Sequence, residues 1–208
     1  MGNGRIYQGE VLNKEGKIVQ HGVGVQENAL GDIYNGDWVV GKKHGNGQYT
    51  FSNGESYNGE FKNDLPCGIG VYKGRKNSSY VGSWRDGKRN GEGIQIYKDG
   101  GRYSGNFKDD ERHGYGTMVW PDGSKYEGHW SYDGMHGHGK LVLDSVGPNI
   151  HEGNWINGFG KGQDFDLIYN YGQSRHLQCV LRGIEYKKRK DEDPNWKDRD
   201  LESRRYYE

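Results

Sequence analysis

Between residues 34 and 130 apolar and polar positions alternate with a period of two. In YNGEF (57–61), Tyr57, Gly59 and Phe61 fall on one side and Asn58 and Glu60 on the other. In GNGQYTF (45–51) the same parity groups Gly45, Gly47, Tyr49 and Phe51 against Asn46, Gln48 and Thr50. This alternation predicts β-strands with one face of rings and gaps and one polar face. Asn53-Gly54, Asp99-Gly100 and Asp122-Gly123 supply positive-φ turn chemistry, which predicts that they join one unit's second strand to the next unit's first. Segments such as VVGKKH (39–44) and RDGKRN (85–90) are expected to form the other turn.

The pattern repeats. Gly-x-Gly recurs at Gly22/Gly24, Gly45/Gly47, Gly68/Gly70, Gly91/Gly93, Gly114/Gly116, Gly137/Gly139 and Gly160/Gly162, each step being 23 residues. Tyr-x-Gly-x-aromatic keeps the same beat at Tyr34-Gly36-Trp38, Tyr57-Gly59-Phe61, Tyr80-Gly82-Trp84, Tyr103-Gly105-Phe107 and Tyr126-Gly128-Trp130. Tyr7-Gly9-Val11 and His151-Gly153-Trp155 depart from it, as capping units of a stack do. Glycine weakens a strand by roughly 0.5–1 kcal/mol relative to alanine, so its recurrence implies a compensating contact. The expected contact is a Tyr or Trp ring from a neighbouring strand lying flat on the glycine.

HGYGTMVWPDGSKYEGHW (113–130) resembles the repeat of the MORN family, and GDIYNGDWVVGKKHGNGQYTFSNGESYNGEF (31–61) matches that pattern nearly throughout. The resemblance covers about residues 5–162, with departures at ENALGD (27–32), GRKNSS (74–79) and His151. It implies an all-β fold: an elongated single-sheet solenoid of stacked antiparallel β-hairpins, curled into an aromatic-lined groove. Seven hairpins would make a rod of about 65 Å. Residues 163–183 leave the beat and read as a capping hairpin, and 184–208 as a charged tail, either disordered or a short helix.

Composition agrees with a thin core. Of 208 residues only 31% are hydrophobic, while 37 glycines sit beside a 13% aromatic fraction too high for a disordered chain. The 29 basic and 29 acidic residues cancel, which argues against nucleic acid as a partner. Two isolated cysteines, Cys67 and Cys179, fit a reducing compartment, and MGNGRIYQG has no apolar stretch, so no signal peptide is expected. Ile6 stands where a myristoylation motif needs Ser or Thr.

Other chemistry reduces to the array. A phosphate-binding glycine loop needs a helix N-terminus after it, whereas these pairs are followed by strand alternation such as GTMVW. His21, His44, His113 and His136 precede glycine pairs, but equivalent positions in successive hairpins are about 9.6 Å apart, too far to share a metal ion. Asp37 and Glu60 recur on the polar face because the repeat recurs. The chain therefore reads as a non-enzyme, with no cofactor, metal or small-molecule substrate.

The expected role is a scaffold for protein partners, holding a helix or extended peptide along the groove. Its anchors would be Trp38, Tyr49, Phe51, Phe61, Tyr72, Trp84, Tyr97, Phe107, Trp120 and Trp130. In the tail Trp196, Leu201, Tyr206 and Tyr207 would dock to a larger assembly. The family resemblance implies cytoplasmic, cytoskeletal placement in cilia or flagella, including radial-spoke heads of the axoneme. It also implies a rival, a membrane or phosphoinositide tether, for which Lys187, Lys188, Arg189 and Lys190 offer the basic cluster. Open sheet edges leave self-association as a further expectation.

Overall fold

The computed structural model describes residues 6–143, 149–156 and 159–161. Its fourteen strands are β1 (Ile6–Lys14), β2 (Lys17–Glu27), β3 (Ile33–Val39), β4 (Lys42–Thr50), β5 (Ser56–Lys62), β6 (Leu65–Lys73), β7 (Ser79–Arg85), β8 (Lys88–Ile96), β9 (Arg102–Lys108), β10 (Glu111–Val119), β11 (Lys125–Ser131), β12 (Gly134–Leu143), β13 (Asn149–Ile156) and β14 (Phe159–Lys161). They form one open antiparallel sheet in chain order, strands as the alternation predicts and a stack of hairpins as the family resemblance implies. The expected capping hairpin (163–183) and charged tail (184–208) lie outside the described residues.

Two kinds of connection alternate. At 15–16, 40–41, 63–64, 86–87, 109–110 and 132–133 both residues have positive φ, the two-residue turn whose twist matches that of its strands. This corrects the six-residue turns expected at 39–44 and 85–90: Lys42–His44 and Lys88–Asn90 are strand residues of β4 and β8. The other connections are five residues long and close when the first N–H donates to the fifth carbonyl, as in Phe51 to Glu55 (2.9 Å) and Trp120 to Ser124 (2.9 Å). GRKNSS keeps this frame: Gly74 donates to Ser78 (2.8 Å), and Asn77 adopts the positive φ that Gly54, Gly100 and Gly123 adopt elsewhere.

The two glycines of each pair do different work, which corrects the expectation that Gly45 and Gly47 share one face. The first sits in a β-bulge that interrupts the alternation, with φ of +57° at Gly45, +99° at Gly91 and +65° at Gly114. Asp37, across the bulge, accepts the Asn46 N–H at Oδ2 (2.8 Å). The second glycine lies under the Tyr of the same repeat. A Cβ added to Gly93 would stand 2.5 Å from Tyr80 Cζ, and one on Gly116 2.6 Å from Tyr103 Cζ. Each ring crosses its glycine floor and returns its hydroxyl to its own strand: Tyr80 donates to the Ser83 carbonyl and Tyr103 to the Asn106 carbonyl, both at 3.0 Å.

Successive hairpins are also locked at their two-residue turns. Asp64, Asp110 and Asp133 each donate a backbone N–H to the carbonyl of residue 43, 89 or 112, and each accepts that residue's N–H at Oδ1 (2.8–3.0 Å). Pro66 has no N–H to give. Its opposite turn residue is Gly87, which makes only the single bond to the Pro66 carbonyl (2.9 Å).

The ends depart structurally as well as in sequence. In the first hairpin Gly9 pairs with Gly24 and Val11 with Gln20, against Gly36 with Gly47 and Trp38 with Lys43 in the second, so β1 and β2 extend further before turning. At the other end Gly160 pairs with Trp155, the place that Lys43 holds opposite Trp38. The seventh Gly-x-Gly is therefore out of frame with the other six.

Candidate functional site

In β3, β5, β7, β9 and β11 a glycine between Tyr and the next aromatic lets the two rings meet edge to face, and the neighbouring hairpin adds the next contact. The result is an unbroken zipper of twelve rings: Tyr7, Trp38, Tyr34, Phe61, Tyr57, Trp84, Tyr80, Phe107, Tyr103, Trp130, Tyr126 and Trp155. Successive centroids are 5.1–5.6 Å apart and the planes cross at 81–89°. Each contact is worth about 0.5–1.5 kcal/mol beyond area burial, which gives this one-layer sheet a core. Trp38, Trp130 and Trp155 pin the zipper by donating Nε1–H to the carbonyls of Gly24, Gly116 and Gly139 (3.0–3.1 Å), and Trp84 donates to Gly70 (3.3 Å).

This geometry divides the ten expected anchors. Trp38, Phe61, Phe107 and Trp130 are buried within the zipper and present almost no surface. Tyr49, Tyr72, Trp84, Tyr97 and Trp120 are half-buried, and Phe51 is exposed. Tyr49 and Tyr72 pair directly with Tyr34 and Tyr57, so the accessible rings run beside the zipper toward the five-residue connections. Their hydroxyls are held: Tyr49 donates to Asp32 Oδ2 (3.0 Å) and Tyr72 to Glu55 Oε2 (2.7 Å). Trp196, Leu201, Tyr206, Tyr207, Lys187, Lys188, Arg189 and Lys190 lie outside the described residues.

A row of cations lies over the rings. The Arg112 guanidinium stacks 4.3 Å from the Trp130 centroid and Arg89 5.1 Å from that of Phe107, while Lys43 stands 5.1 Å from that of Tyr49. Nε–H of Arg89 and Arg112 donates to Asp110 and Asp133 (3.0 and 2.9 Å), so both charges are partnered. Sequence reasoning missed these cations, although Lys43, Arg89 and Arg112 each stand two residues before a glycine pair. Near the N-terminal end the ring face dips into a cavity of about 330 Å³ walled by Gln20, Gln26, Asp32, Lys43, Tyr49 and Asp64.

Burial has an ionisation consequence. It raises Tyr34, Tyr57, Tyr103 and Tyr126 far above the ordinary phenol range, and lifts Tyr80 to about 12 despite the opposing Arg89 charge. A phenol raised on folding stabilises the fold fully below its unfolded value of about 10 and loses that contribution as pH climbs toward the folded value. Stability is therefore expected to fall steeply above pH 10, with tyrosinate absorbance from the zipper appearing together with the loss of strand circular dichroism. Full tyrosinate absorbance from an intact sheet would contradict this.

His21 Nδ1 lies 3.5 Å from the Val40 N–H of the next hairpin's turn, and among the described residues no three His, Cys, Asp or Glu side chains stand close enough to hold a metal ion.

Against known proteins, no curated protein matches the chain. Among solved structures it is similar to the SAS-4 (dCPAP) TCP domain in complex with a proline-rich motif of Ana2 (dSTIL) of Drosophila melanogaster. The identity is 9% over 64% of this chain and 75% of that one, with a TM-score of 0.38. The MORN repeat matches at residues 34–56, 57–79, 80–102, 103–125 and 126–145, the five units in which Tyr, glycine and ring stand in frame. With more than half of its length matched in this way, the chain belongs to the MORN repeat family.

Proposed function

We propose that the chain is a non-enzymatic scaffold that docks a helix or extended peptide of a protein partner along its ring face, within a ciliary, axonemal or other cytoskeletal assembly. The observation that carries this reading is the strip of accessible rings, Tyr49, Phe51, Tyr72, Tyr97 and Trp120, running across successive hairpins beside a zipper that already satisfies the fold. Flat, pre-ordered rings bind at low entropic cost, and rings spaced by a rigid sheet suit a partner that is itself regular. Membership in a repeat family whose units stack into extended surfaces supports the same role. Placement in the axoneme rests on family resemblance.

The test uses substitutions outside the zipper. Tyr72→Ala with Tyr97→Ala is expected to abolish the cross-links that the native chain makes to its partners in ciliated cells, while circular dichroism stays unchanged. Retention of every partner by that double variant would overturn the ring-face reading. Flotation with anionic vesicles, lost on neutralising Lys187, Lys188, Arg189 and Lys190, would instead support the membrane tether.

A further inference from the structure

The repeat supplies its own control for the face opposite the rings. Along the middle of that face, successive strands carry Asn35, Gln48 and Asn58, then Val71, Val81 and Ile94, then Ser104, Thr117 and Glu127. Between β3 and β11 only β6, β7 and β8 break the polar rule there, Val25 of β2 standing alone beside Asn35. Ile69 and Ile96 extend the break diagonally, and Ile69, Val81, Ile94 and Ile96 are 61%, 46%, 36% and 39% exposed. The zipper needs none of these side chains, which point away from it.

Ser79 and Ser83 flank Val81 along β7, and at the two remaining corners of the block stand Lys73 on β6 and Glu92 on β8. Both charges are exposed, and among the described residues neither makes an ion pair. The block is self-complementary. A two-fold axis along the Ile69–Val81–Ile96 diagonal sets those three residues against their own copies, Val71 over Ser83, and Ile94 over Ser79. It also sets Lys73 against Glu92 twice. Small residues opposite branched apolar ones, with opposite charges at the corners, are the features of an isologous contact between stacked sheets.

We propose that two copies of this chain associate back to back through β6–β8, leaving both ring faces open to partners. The block spans roughly 250 Å² at strand and residue spacings of about 4.8 and 3.4 Å. That is well below the about 800 Å² per partner of a stable complex, so the dimer is reversible and concentration-dependent.

Sedimentation velocity of the full chain over a concentration series tests this. The native chain shifts toward twice its monomer mass as concentration rises, and Val81→Lys stays monomeric. Lys73→Glu alone and Glu92→Lys alone each weaken association at least about tenfold, because each places like charges together at both corners. Mixing these two single variants restores it, since every corner then pairs opposite charges. A native chain that stays monomeric throughout, a Val81→Lys chain that still dimerises, or a mixture no stronger than its components would each overturn the proposal. All of these positions are exposed and on the face away from the rings, so none of these results bears on the ring-face reading.

Discussion

Gly93→Ala is expected to destabilise the array by at least about 3 kcal/mol, the upper range for forcing extra atoms into a packed site. The new Cβ would occupy space held by the Tyr80 ring, at 2.5 Å from Cζ, with the Glu92 to Gly93 backbone unable to retreat because Gly82 pairs directly opposite. Lifting Tyr80 breaks its contacts with Trp84 and Phe107, so the zipper is cut in the middle of the array. In a stack held by nearest-neighbour interfaces, such a cut separates the halves. Urea unfolding should then show two transitions where the native chain shows one. Gly100→Ala is the control: nothing lies within 4 Å of the added atom, and only its φ of +94° opposes it, at about 1–2 kcal/mol. Equal costs for the two variants would mean that the ring gives way freely.

The second large effect falls on Trp130. Removing its buried ring in Trp130→Ala deletes two edge-to-face contacts, the Nε1–H bond to the Gly116 carbonyl and the platform for Arg112. A loss of about 3–5 kcal/mol is expected from the cavity alone. Trp130→Phe should lose only about 1 kcal/mol, the worth of one hydrogen bond, because Phe61 and Phe107 fill the same place in other repeats. Thermal unfolding of the pair checks both values, and similar losses for Ala and Phe would refute the packing account. A partner lost on Trp130→Ala would therefore say little about the binding surface, which has to be mapped through Tyr72 and Tyr97.

How much of this was legible in the sequence follows from where period two holds. Tyr57, Gly59 and Phe61 could be placed on one face because β5 is regular along its whole length. The Gly45/Gly47 pair could not be resolved the same way, because the bulge shifts register within it, and parity is blind to an inserted residue. Turns with Asn-Gly and Asp-Gly were visible. Asn63-Asp64 and Asp109-Asp110 were not, since they reach positive φ without glycine and are held by neighbouring hairpins. Ring burial was the least legible feature: Phe61 and Phe51 share a parity, yet only Phe61 has a Tyr on both sides. The apolar break at Val71, Val81 and Ile94 was present in the sequence all along, and becomes visible only when repeats are compared with one another at equal positions.

The missing N–H of Pro66 has a mechanical meaning. Where Asp64, Asp110 and Asp133 clamp their neighbours with two hydrogen bonds, Gly87 holds Pro66 and Gly41 holds Gln20 with one, so these two tips resist shear between adjacent hairpins less than the others. Under load the rod yields first at these two tips, and elastic strain transmitted along it gathers there.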